Sequence, residues 1–165
     1  MRIFYSFVAL LVFAAAASAQ QLDLKVLDKI GEKAKSKTEI NMDESMLKSA
    51  SASLDDKKPD ESVAKRSIEG VKGFVLRSYE FDDKNEFKVA DLKPILDQLK
   101  EPNWKLFLRA KEDDELTEIW THVTNGMADG MLLIAAEKNE LTVIYGLGVA
   151  DINQLKALGK LEGIK

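Results

Sequence analysis

Cysteine is absent from this chain, which excludes disulfides, thiol catalysis, thiolate metal ligands and a lipidated cysteine at a processing site. Histidine is nearly absent. His122 stands alone, so no histidine cluster can hold zinc, and any Ser-His-Asp arrangement would rest on one candidate in a strand-like segment. No serine sits in a Gly-x-Ser-x-Gly elbow. Apolar runs stop short of the roughly twenty residues that span a bilayer. Positive charge is not in excess either, with 24 basic against 28 acidic residues. The concentrated basic face that nucleic-acid phosphates require is therefore missing, and nucleic-acid binding is excluded from the expected functions.

What the chain does have begins at its start. Arg2 is the only early charge, Ile3 to Ala17 form a low-polarity run, and Ala17-Ser18-Ala19 precedes Gln20. A cation, a short apolar stretch and a small-x-small ending predict a secretory signal peptide over residues 1–19, cleaved after Ala19. The mature protein is then expected to be secreted or periplasmic, with no stable membrane insertion. Cleavage removes one cation and no acid, so 23 basic and 28 acidic residues remain, a net charge of −5. The remaining residues, 20–165, are enough for one domain resting on its hydrophobic core alone.

Periodicity predicts an α+β fold. Leu24, Leu27, Ile30 and Ala34 recur at helical spacing within 22–37, and Met46 or Leu47, Ala50 and Leu54 do so within 45–54. The charged run 55–62, with Pro59, predicts a mobile loop, followed by a helical turn over 63–69 ending at Gly70. Strands are expected at 71–81, 104–111, 116–124, 127–136 and 140–147, with Asn125-Gly126 the strongest hairpin signal among the turns. Between the first two lies a helix capped by Asp91, with Leu92, Ile95, Leu96 and Leu99 as its stripe and Pro102 as its stop. Asp151 would cap a last helix carrying Ile152, Leu155 and Leu158. The order is two helices, then β-α-β-β-β-β-α, which predicts one mainly antiparallel sheet of five strands in the order 1-5-4-3-2. Met131 to Ala136 does not alternate and so predicts a central strand covered on both faces.

Candidate chemistry is thin. Asp82, Asp83, Asn85 and Glu86 are oxygen donors without the spacing of a calcium loop and are read as an acidic turn. Gly146-Leu147-Gly148 lacks the third glycine of a phosphate-cradling loop, and Asp151 would put a carboxylate where the phosphate belongs. The sequence therefore implies no metal, no cofactor and no catalytic residue.

Three segments carry a family resemblance: Gly70 to Phe81, Gln98-Leu99 with Pro102-Asn103-Trp104, and Glu140 to Gly146 followed by Asp151-Ile152. Together they resemble the bacterial family catalogued as domain of unknown function 4252. The resemblance departs at Glu137-Lys138-Asn139, a turn, where the family has a Glu-Pro. It implies a bacterial, periplasmic protein and carries over no catalytic role.

Strand parity supplies the functional expectation, because alternate residues point to opposite faces. If amphipathic helices cover the face of Phe74, Leu76, Leu106, Leu108, Ile119 and Val123, the other displays Val75, Arg77, Tyr79, Phe107, Arg109, Trp120 and His122. That second face is either roofed by the N-terminal helices through Leu24, Leu27, Ile30 and Leu47, or it is a binding groove or dimer surface. Arginine with aromatics suits a protein partner or a small anionic ligand. The expected function is an exported, non-enzymatic binding or interaction module of the bacterial envelope. The alternatives are a small metal-independent periplasmic enzyme and an envelope-sensing regulator acting through a protein partner.

Overall fold

Residues 22–82 and 87–148 are described in the computed structural model of the chain. The signal segment, the last expected helix and most of the acidic turn, Asp83, Asn85 and Glu86, lie outside them. The elements are α1 (Lys25–Gly31), β1 (Ser36–Asp43), α2 (Glu44–Ala52), α3 (Pro59–Ile68), β2 (Val71–Glu80), a 3₁₀ turn (Val89–Leu92) leading into α4 (Lys93–Gln98), then β3 (Trp104–Glu112), β4 (Glu115–Thr124), β5 (Met127–Ala136) and β6 (Glu140–Gly148). This is an α+β fold with one antiparallel sheet of six strands, ordered β1-β2-β6-β5-β4-β3.

The expected five strands become six because the first helix is shorter than its spacing suggested. It ends at Gly31, and β1 begins at Ser36, antiparallel to β2 on its outer side. The alternation of Thr38, Ile40 and Met42 with Lys37, Glu39 and Asn41 marks a strand of period two. Gly31 explains the early stop. A Cβ there would lie 2.8 Å from Cε1 of Tyr79, so the helix end approaches the sheet as closely as only glycine permits. The loop expected over 55–62 is also shorter, since Pro59 opens α3 at its first turn, where a missing N–H costs nothing. Asp91 does not cap its helix from outside. Its carboxylate accepts the Lys88 N–H at 2.9 Å while its own N–H donates to the Lys88 carbonyl at 2.8 Å, closing the turn from within.

One core lies between the sheet and the pair α1 and α4. Leu27 and Ile30 from α1 and Leu92, Ile95 and Leu99 around α4 meet Tyr79, Leu132, Ile134, Leu141, Val143 and Tyr145. Leu96, on the same helix, is only half-buried. Strand β5 is central, but its burial alternates: Leu132, Ile134 and Ala136 are buried, and Met131, Leu133 and Ala135 are not. Its expected cover on both faces is thus corrected to cover on one, because the packed helices lie on the Leu132 side. At Asn125-Gly126 both residues take positive φ, 52° and 79°, the conformation a tight two-residue hairpin needs.

Candidate interaction surfaces of the sheet

The helices lie on the face of Tyr79 and His122: α1 roofs it through Leu27 and Ile30, as one of the two expected alternatives had it, and α4 joins α1 there instead of covering the face of Phe74 and Leu76. Register assigns Val75, Arg77, Tyr79, Trp120 and His122 to the roofed side, with Arg109 opposite Glu118 on the same side. Leu106 pairs with Trp120 and joins that side as well, while Leu108 pairs with Ile119 and faces away. A bulge between Leu106 and Leu108 separates the two, which simple alternation through β3 cannot register. Phe107 sits in that bulge, exposed. Leu47, expected in the roof, is buried but stands apart from the main core cluster.

On the roofed side the polar groups satisfy one another. The Tyr79 hydroxyl donates to Glu39 Oε1 at 3.1 Å, and burial, reinforced by that bond, pushes its pKa far above the ordinary tyrosine range. Arg77 donates to the carbonyls of Leu76 and Ile40 and to Asn41 Oδ1, tying β2 to the edge strand β1. Glu118, 3% exposed, accepts from Arg109 Nε at 2.6 Å and from Trp120 Nε1 at 2.7 Å. His122 Nδ1–H donates to Asp129 Oδ1 at 2.5 Å, its ring meeting Trp104 edge-on at 5.1 Å. Partial burial pushes Asp129 upward, but hydrogen bonds from His122 and Thr124 and the His122 charge outweigh it and hold the carboxyl below its ordinary value. Burial also raises the Tyr145 phenol. Of the six residues singled out for interaction, Arg77, Tyr79, Arg109, Trp120 and His122 are thus engaged with their own sheet, and Phe107 projects from its edge.

Asp82 pairs with Lys35 at 2.6 Å on the surface. Among the described residues no three histidine or acidic side chains gather as metal ligands. At Gly148, φ is +114° and a Cβ would lie 2.2 Å from the Gly70 carbonyl oxygen, so this glycine serves backbone contact with the start of β2. A cleft of about 690 Å³ opens between Phe87 and the β3–β4 hairpin, its rim mixing Lys88, Lys111 and Lys138 with Asp113, Asp114, Glu115 and Glu137. Such mixed charge gives it no preference for an ion of either sign.

The other face is chemically more distinctive. Register aligns Ile40, Leu76, Ile144, Leu133, Ile119 and Leu108 in one apolar row across all six strands. None of the six is buried. Beside it runs a row of small residues, Thr38, Ser78, Thr142, Ala135, Thr117 and Ala110, in which Ser78 and Thr142 hydroxyls are 3.0 Å apart. On the opposite flank Gly146 lies between Phe74 and Met131, and a Cβ built on it meets nothing within 4 Å. A notch is open there. On the roofed face, by contrast, a Cβ on Gly130 would meet His122 at 3.2 Å. Strand parity had put Leu76, Leu108 and Ile119 of the first row on one face, but Ile40, Ile144 and Leu133 and the order of all six escaped sequence reading. Each strand contributes one residue, and only the pairing places them side by side.

A family model described as "Domain of unknown function (DUF4252)" matches residues 32–158. No curated protein matches the chain.

Proposed function

The chain belongs to the family described as domain of unknown function DUF4252, and from its open sheet face we propose an exported, non-enzymatic interaction module of the bacterial envelope that binds protein through that face. The observation carrying this reading is the uncharged apolar row from Ile40 to Leu108, with its notch at Gly146. Contiguous apolar surface of this kind marks interaction sites on soluble proteins. An edge-to-edge row of aliphatic side chains offers shape and area but no nucleophile, base or ion ligand, so binding is its natural use. Export is supported by the Arg2 to Ala19 pattern.

The test pairs location with capture. N-terminal sequencing of the exported protein is expected to begin at Gln20. Leu133→Glu places a charge in the middle of the row, and about tenfold weaker partner binding is expected, at unchanged helix and strand content. Equal capture by both chains would sink the reading.

A further inference from the structure

We propose that the edge strand β1 docks the β1 of a second copy of this chain, the two strands pairing antiparallel about a two-fold axis so that two six-stranded sheets become one. This edge is a separate surface from the open face. Among the described residues β1 pairs on one side only, with β2. It is exposed at every position from Ser36 to Asp43 except the half-buried Met42, its register with β2 has no bulge, and it holds no proline. An unguarded edge of that length is a ready template for another strand. The opposite edge, β3, is interrupted at Phe107. The chain leaves β1 clear at both ends. Before it, Lys35 pairs with Asp82, and the Lys35 N–H donates to the Glu80 carbonyl at 2.8 Å, both contacts drawing the chain toward β2. After it, α2 turns back over β2, where Ser51 and Ala52 share a cleft with Val71 and Lys72.

Backbone direction and side-chain charge select one register. The Phe81 N–H donates to the Asn139 carbonyl at 2.9 Å, so the odd-numbered residues of β2 bond to β6 and the even-numbered ones to β1. Across the β1–β2 register, the N–H and C=O of Lys37, Glu39 and Asn41 and the N–H of Asp43 then point off the sheet. Opposed residues must share a face, so the axis passes through a residue. Centred on Ile40, it sets Glu39 opposite the partner's Asn41 and Lys37 opposite the partner's Asp43, each twice by symmetry. Opposite charges meet there. Asn41 Oδ1 already accepts from Arg77, which leaves its amide N–H to donate to the partner's Glu39, whose Oε1 alone is taken by the Tyr79 hydroxyl. Centring on Glu39 would set that carboxylate against its own copy, and centring on Asn41 would set Glu39 against the partner's Asp43. An axis on Thr38 or Met42 would pair less of the strand. On the open face Ile40 meets the partner's Ile40, joining the apolar rows of the two copies end to end. Charge, hydrogen bonding and apolar contact are all met by the chain's own strand, which is what names a second copy.

Sedimentation of the chain over residues 20–165 is expected to show a dimer that dissociates on dilution. Because the chain has no cysteine, Ile40→Cys introduces a single thiol. Under mild air oxidation it should give a disulfide-linked dimer, since opposed residues of a non-hydrogen-bonded pair have Cα atoms about 4.5 Å apart. Thr38→Cys and Met42→Cys chains should cross-link faster when mixed than either does alone. Lys37→Glu should raise the dissociation constant about tenfold. Adding Asp43→Asn, which keeps a cap on the Met46 N–H, should recover most of that loss, both positions being exposed. A chain monomeric at every concentration overturns the proposal. So does a dimer that is indifferent to Lys37→Glu and stays unlinked as Ile40→Cys. Leu133→Glu separates the edge from the open face. A dimer unchanged by it supports the edge, whether partner capture falls, as the proposed function requires, or persists and sinks that function alone. A dimer lost through Leu133→Glu and kept through Lys37→Glu moves association to the open face and overturns the edge.

Discussion

At the scale of single residues the fold depends on close contacts that composition does not display. Gly31 is one: an alanine there must displace the Tyr79 ring, whose nearest atom would be 2.8 Å away. Gly31→Ala is expected to cost about 1–3 kcal/mol as overpacking, although alanine is the better helix former. Urea melts decide it, and a gain in stability would show that α1 can draw back freely. The helical stripe at 92–99 offers a graded comparison. Ile95 is fully buried and Leu96 is not, so Ile95→Ala should lose about 2–5 kcal/mol and Leu96→Ala clearly less. The stripe was legible as a stripe. Which members face the sheet was not, because Leu92, Ile95, Leu96 and Leu99 have the same helical spacing whatever roofs them. Asp129 makes the pH prediction. Its lowered pKa contributes stability above about pH 4, the ordinary carboxylate value, and that contribution disappears as pH falls through the lower folded value. Asp129→Asn should flatten the acid limb of the stability curve in that window, measured as urea midpoint against pH.

At the scale of elements, the strands divide into a protected centre and two edges. β6 and β5 lie between paired neighbours, whereas β1 and β3 each pair on one side only. Hydrogen exchange of the dilute chain is expected to be slowest at Val143 and Ile134 and fastest among strand amides in β1 and β3. A bulge at Phe107 and exposed charges such as Lys105 and Lys111 give β3 an irregular outer edge, which discourages stray pairing. The same edge is tied inward by Arg109 and Glu118. Arg109→Ala leaves the buried Glu118 carboxylate, among the described residues, with Trp120 as its side-chain donor, an expected loss of about 1–3 kcal/mol. Glu118→Gln in the same background should recover part of it, and a double-mutant cycle measures the coupling. The hairpins were legible from Asn125-Gly126 and its neighbours, since a turn's conformation is chosen by the residues in it. Strand β1 was missed because Ala34 extends the spacing of Leu27 and Ile30, while the competing alternation of Thr38, Ile40 and Met42 starts only four residues later.

At the scale of the molecule, the proposed export bears on how the fold is held together. A chain without disulfides holds its structure by its helix-on-sheet core. The intact mass of the exported protein is expected to correspond to residues 20–165, which mass spectrometry checks directly; a chain retaining Met1 in the membrane fraction would contradict export. Amino-acid order alone determined the α+β class, the existence of five strands, the turns joining the last four and the lack of metal-binding and nucleophilic motifs, because these depend on local periodicity and composition. Tertiary structure alone decided which face the helices cover. Two bulges, at Phe107 in β3 and at Asp129 in β5, shift the parity of those strands, and a shift of one residue moves a side chain to the other side of the sheet. No local pattern records that shift. It arises from pairing between segments distant in the chain, the same pairing that brings Ile40, Leu76, Ile144, Leu133, Ile119 and Leu108 into one row.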